Sequence, residues 1–262
     1  MNKRFVVVAL ATGVASVFLG GADAGTPTTL KVITSGGFAQ AYRELLPGFE
    51  KETGIKVETG SGASEGVGPK TIRYQLAHGT PADVVILSRE GLNRLAEDGR
   101  IRKGSAVGLA TAPLAAAVRT GAAPPNIATV AAFRQTLIEA GRIVMPGSTS
   151  GQFVRDKVFP RLDLPASVTL TLVARGTESV EMLKTGKADL AIGPSSELVN
   201  VPGITMIGHL PSEVQIIQTF TAGIVNDAKE PKAAKQLIRY LSSQKPATVA
   251  AIRRAGMEPA RR

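Results

Sequence analysis

The chain of 262 residues has no cysteine and no tryptophan, and only two histidines and three tyrosines. Each scarcity removes a class of chemistry. Without cysteine there is neither a disulfide framework nor a thiolate metal site. With His78 and His209 as the only histidines, a histidine-rich zinc centre is excluded, and no metal ligand set is expected. Aromatic residues make up 4%, too few to stack many nucleobases. The 31 basic residues against 21 acidic ones give a formal charge of +10, but they are scattered rather than gathered in runs. Such a balance suits a small anionic ligand better than a nucleic acid, and part of it is a solvated face. Internal repeats and low-complexity tracts are lacking. So are a G-x-S-x-G nucleophile elbow and a persuasive Ser/His/acid set, which weakens a hydrolase reading.

Long apolar runs are confined to the beginning. Lys3 and Arg4 precede an apolar stretch over residues 5–19, and Ala22-Asp23-Ala24 fits the small-residue cleavage rule. This reads as a secretory signal peptide cut near Ala24, and hence a periplasmic protein without stable membrane insertion. Gly13 and Ser16 interrupt the run, which is also short for a membrane anchor. The remaining chain, about 238 residues, is enough for two lobes of ordinary size.

What is present is an alternation. Residues 30–34 are β-branched and end in Ser35-Gly36-Gly37. Phe38, Tyr42, Leu45, Leu46 and Phe49 then repeat at helical spacing until Gly54. A second strand over 55–59 runs into Ser61-Gly62-Ala63-Ser64-Glu65-Gly66, followed by a helix to about Ala77. A third strand covers 83–87 and a further helix 88–98. Strands alternating with helices on short connections predict a mostly parallel α/β sheet. Ligands bind such sheets at the carboxyl ends of strands, beside helix N-termini.

The pattern then crosses over and repeats. Residues 106–119 read as a long strand passage, and 121–126 (GAAPPN) as a loop. A helix over 129–140, a strand over 142–145, the loop 146–151, a helix from Gln152 to about Arg161 and a strand over 169–173 follow. Arg175-Gly176-Thr177-Glu178-Ser179 opens another helix. A strand over 189–192 ends in Gly193-Pro194-Ser195-Ser196. Residues 214–225 are a continuous β-branched run suited to a return crossing, and helices over 231–241 (Pro231 near its start) and 246–254 close the chain. The expected division is 1–24 for the leader, 25–107 with 218–262 for the first lobe, and 108–217 for the second.

Residues 30–35, LLPGFEKETGIKVETGSGAS over 45–64 and GTPADVVIL over 79–87 resemble the periplasmic solute-binding proteins of the molybdate-binding type. The resemblance implies the two-lobed periplasmic-binding-protein fold (type II): α/β, mixed sheets flanked by helices, two crossover strands and a ligand between the lobes. By position it makes Ser35 with Gly36 and Ser64 ligands from one lobe. Ser150 and Thr177 or Ser179 would face them. Ser195-Ser196 stands where the molybdate binders place a tyrosine hydroxyl, which argues against molybdate itself. Glu65, Lys70 and Arg73 are further departures, because a carboxylate repels a compact dianion. The second half is similar to a narrower subgroup handling tricarboxylates, the aconitate isomerases. That implies a cofactor-free allylic proton shift between trans- and cis-aconitate. The Ser and Thr hydroxyls would orient the substrate, Lys70 and Arg73 would neutralise it, and Arg155 or Arg175 would assist from the second lobe. Glu65 or His78 would move the proton. The alternative is a binding subunit delivering an oxyanion or carboxylate to an importer, and under either reading a monomer is expected.

Overall fold

The computed structural model describes residue 1 and residues 28–261. The expected leader and its cleavage point therefore lie outside the described residues, Met1 excepted. Among those described, no helix is long and apolar enough to cross a membrane.

The first half of the alternation is observed as β1 (Thr29–Thr34), α1 (Gly36–Thr53), β2 (Lys56–Ser61), α2 (Ile72–Ala77), β3 (Val84–Ser88) and α3 (Arg89–Glu97). β1 lies between β2 and β3, parallel to both. Helix α1 buries Phe38, Tyr42, Leu45 and Phe49 of the expected stripe, with Ala41 beside them and Leu46 only partly covered. It ends at Gly54, whose φ of 71° is the left-handed cap that glycine adopts without strain.

The thirteen-residue β4 (Val107–Arg119) joins the two halves. Its first part pairs with β9 (Ile217–Ile224), which lies antiparallel between β3 and β4. Its second part pairs with β7 (Leu190–Pro194) and β8 (Ile204–His209). Beyond β7 the order runs to β5 (Arg142–Pro146) and β6 (Thr169–Val173), both parallel neighbours. Around these strands pack α4 (Val130–Ala140), α5 (Thr149–Phe153), α6 (Gly176–Lys184) and α7 (Ser195–Leu198), while α8 (Pro231–Leu241) and α9 (Pro246–Arg254) return to the first half. The two-residue strand β10 (Glu258–Pro259) pairs with β4. Separate apolar clusters fill the two lobes: one centres on Phe38, Phe49, Phe220 and Leu237, the other on Phe133, Leu137, Met145 and Ile192.

Three expectations need correction. The helix expected from Gln152 starts at Thr149, widens into a π turn over Val154–Val158 and tightens to a 3-10 turn over Phe159–Arg161. The return strand begins at Ile217, because Gln215 turns its side chain onto β4: Leu114 N–H donates to Gln215 Oε1 at 2.6 Å, and Gln215 Nε2 donates to the Leu114 carbonyl at 3.0 Å. The Ser195-Ser196 loop is instead the first turn of α7, anchored by Ser195 Oγ donating to the Gly256 carbonyl at 2.6 Å.

Candidate functional site

The carboxyl end of β1 and the N-terminus of α1 open onto a cavity of ≈ 280 Å³ between the lobes. Ser35 is the N-cap of α1, yet its side chain caps nothing. Its backbone N–H is tied to the Ile86 carbonyl at 2.7 Å, which fixes the loop and leaves Oγ buried without a partner. Gly36, Thr59, Ser61 and Ser64 continue this wall. Ser64 Oγ accepts the Ser88 N–H at 3.0 Å, and its own O–H remains for a ligand.

The opposite wall comes from Ser148, Arg175, Gly176, Thr177 and Glu197, and the floor includes Gln218 of β9. Arg175 crosses the gap: its Nη1 donates to Ser61 Oγ at 3.1 Å, while its buried Nε has no partner. Arg43 of α1 lines the same cavity and makes no ion pair among the described residues. The lining therefore holds four buried polar atoms without a partner among the described residues: Ser35 Oγ, Arg175 Nε, Glu197 Oε2 and Gln218 Oε1. Leaving a buried polar group unmatched costs roughly 1–3 kcal/mol, so four around one cavity suit a polar ligand. Tyr42 also lines the cavity, bonded to Thr59 Oγ1 at 2.8 Å, and burial pushes its phenol up to about 12. Burial likewise lifts the Glu197 carboxyl to about 7.

Of the residues expected from sequence, Ser35, Gly36, Ser64, Arg175 and Thr177 meet at this cavity. Ser150 and Ser179 are buried nearby with unpartnered hydroxyls, at the starts of α5 and α6, but Ser148 rather than Ser150 reaches the lining. The others need correction. Ser195 is consumed by Gly256, and Ser196 lines an adjoining pocket instead. Arg73 points along the outside of α2 in a two-pronged pair with Asp98, at 2.7 and 2.9 Å. Lys70 bridges to Glu178 at 2.7 Å across the lobes, and Arg155 pairs with its neighbour Asp156 at 2.6 Å; both line a second, adjoining cavity. Glu65 lies in that second cavity too. Burial raises its carboxyl above the ordinary range, against the pull of Arg94 at 3.3 Å. His78 caps α2 on the surface, stacked on Tyr74 at 3.7 Å between ring centres.

The sequence reading missed Arg43, Glu197 and Gln218. Arg43 follows Tyr42 on the edge of the apolar stripe, a position that carried no signal. Glu197 sits in a four-residue helix too short for any periodicity to register.

Two α/β lobes joined by crossing strands, with an anion-suited cavity at the strand ends between them, define a solute-binding protein of the periplasmic type. The chain belongs to the family of bacterial extracellular solute-binding proteins, whose model matches residues 30–258. Over 233 residues it is 36% identical to an aconitate isomerase from a Pseudomonas species, covering 88% of each chain. In fold it is similar to the periplasmic molybdate-binding protein of Azotobacter vinelandii, with a TM-score of 0.69 at 21% identity, covering 88% of this chain and all of that one. It is similar as well to a sulfate-binding protein of Mycobacterium tuberculosis, with a TM-score of 0.67 at 18% identity over 89% and 87% of the two chains. The periplasmic-binding-protein fold implied by the sequence is thus the fold observed.

Proposed function

We propose that this protein is a secreted isomerase interconverting trans- and cis-aconitate in the inter-lobe cavity, with residues 25–107 and 218–262 forming one lobe and 108–217 the other. The observation that carries the reading is that two arginines, Arg43 and Arg175, line one cavity together with buried donors, Ser35 Oγ and Arg175 Nε, that have no partner among the described residues. A tricarboxylate presents three anionic groups, and planar guanidinium forks match carboxylates in geometry as well as charge. The free N-termini of α1 and α6 add donors and a positive field on either side. The 36% identity to an aconitate isomerase over most of both chains supports the same substrate class.

The reaction is a 1,3-allylic shift. A proton leaves the CH2 carbon, its electron pair enters the allylic system, the double bond moves by one position and a proton is added two carbons away. Atoms and electrons balance within the substrate, so no redox partner is required. Charge builds on a carboxylate in the transition state, where the guanidinium groups and helix N-termini stabilise it.

The second reading is a binding subunit that hands a small oxyanion or tricarboxylate to an importer. The likeness in fold to molybdate- and sulfate-binding proteins supports it. Incubating the purified protein with trans-aconitate and following cis-aconitate by proton NMR separates the two. Turnover establishes the isomerase. Absence of turnover, together with a rise in melting temperature on adding molybdate, sulfate or citrate, assigns the binding role instead.

A further inference from the structure

We propose that Glu197 is the group that carries the proton in this cavity, taking it from the substrate CH2 and returning it at the far allylic carbon. The inference rests on the isomerase reading and gives Glu197 the role expected from sequence of Glu65 or His78.

Among the described residues, the titratable members of the cavity lining are Tyr42, Arg43, Arg175 and Glu197. Arginine offers donors only. The Tyr42 phenol is held at about 12 and already shares its hydrogen bond with Thr59. Glu197 alone can accept and release a proton near neutrality, since burial places its carboxyl at about 7. A carboxyl tuned to that value loses little driving force in either direction, as a group acting first as base and then as acid requires.

The backbone is shaped to hold this carboxyl. Glu197 projects from the one-turn helix α7 into the angle between the N-termini of α1 and α6. The two positions it rests against are both glycines. A Cβ on Gly36 would stand 2.6 Å from Glu197 Oε1, and one on Gly176 would lie closer still to Oε2. Any other residue at either helix start would displace the carboxyl. Oε2 is buried and has no partner among the described residues, so its lone pairs are available for a substrate proton. Both helix starts are also where substrate carboxylates are expected to dock, which brings the base beside the CH2 that a carboxylate flanks.

Few titratable groups line the pockets around Glu197. From α1 comes Arg43; from the start of α6 comes Arg175, with Glu181 and Lys184 farther along the helix. The strands behind α7 bring Ala115 and Ala117 of β4, Ala191 of β7, and Ile204 and Met206 of β8, none of which titrates. The adjoining acid Glu181 lines only the outer pocket.

The test compares wild type with Glu197→Gln and Glu197→Asp, using trans-aconitate in D2O and proton NMR to read both cis-aconitate and deuterium at the CH2 position. Glu197→Gln is expected to lose at least a thousandfold in turnover and in exchange, while trans-aconitate still raises its melting temperature. Glu197→Asp withdraws the carboxylate by one methylene and is expected to lose about a hundredfold in kcat with KM within a few-fold. In wild type, kcat/KM should rise with pH through about 7, where the carboxyl ionises. Should Glu197→Gln fail to fold, Glu197→Asp and the wild-type pH profile carry the test. Wild-type turnover that persists within tenfold in either folded variant, or a pH profile flat between 5 and 8, overturns the assignment and leaves the isomerase standing. A wild-type protein that converts nothing overturns the isomerase reading itself, and the proton carrier with it.

Discussion

Ser35 illustrates how a single residue can be worse for the empty protein and better for the bound one. The residue is 3% exposed, and its hydroxyl has no partner among the described residues. Ser35→Ala removes that unmatched group, so the free protein should melt at the same temperature or higher, while KM for trans-aconitate rises by about fivefold, the worth of one neutral hydrogen bond. Arg175→Ala should cost about tenfold to a hundredfold in affinity, as expected for a charge-assisted pair. His78→Ala and Arg73→Ala, both on the outside of α2, should leave kcat and KM within twofold. For Glu197 the consequence is a dependence of stability on pH. Its carboxyl is raised from 4.5 to about 7, so the folded state holds the proton more tightly than the unfolded state does. Stability is full below 4.5, falls across the interval and is lowest above 7. In ligand-free protein, Glu197→Gln should therefore match wild type in unfolding free energy at pH 4 and exceed it at pH 8, by roughly 3 kcal/mol at most. Equal stability at both pH values would contradict the buried carboxyl.

At the scale of elements, the starts of helices decide both fold and site. Gly151 in α5 and Gly91 in α3 approach backbone carbonyls, those of Pro146 and Ser64, which cannot move aside. Gly151→Ala and Gly91→Ala should each destabilise by about 1–3 kcal/mol through overpacking, visible as a lower midpoint in urea. Gly36→Ala meets only the outer end of the flexible Glu197 side chain, so it should keep the midpoint and lose kcat. This difference also marks where the sequence was legible. β1, α1, β6 and α8 stand where periodicity, Gly54 and Pro231 put them, because each signal is local. The alternation at β8 went unread because its partner is β4, remote in sequence, and glycines at 203 and 208 interrupt it. α7 is held by Gly256 and by Asn200 Nδ2 donating to the Arg254 carbonyl at 2.9 Å, partners more than fifty residues away. The Ser/Gly loops of the site could be read as helix starts from spacing alone. Glu197 could not, since its position depends on where α1 and α6 come to rest.

At the scale of the whole molecule, a few polar contacts join the two halves across the cavity. Lys70 meets Glu178 at 2.7 Å, Arg175 meets Ser61 at 3.1 Å, and Ser88 Oγ lies 2.9 Å from Thr149 Oγ1. Lys70, at 56% side-chain exposure, belongs to a pair worth under about 1 kcal/mol to folding. The same small term bears directly on the balance between open and closed forms, which differ by only a few kcal/mol. Lys70→Ala should therefore leave the melting temperature nearly unchanged while weakening ligand binding several-fold, an effect that 0.5 M salt reproduces in wild type. Small-angle scattering should show a larger radius of gyration for the ligand-free variant than for wild type.

The path of β9 sets an order of assembly. It is the strand that fills the place between β3 and β4, yet it follows every strand of the second lobe along the chain. A nascent chain that has emerged as far as β8 carries all the strands β4–β8 and can complete that sheet. The first lobe at that moment has β3 and β4 with a gap between them, and Val84, Ile86 and Leu109 still lack Phe220 and Ala222 as neighbours. The lobe that begins the polypeptide is thus the one that finishes last, and until residue 224 arrives its open edges and apolar face are what a chaperone would meet.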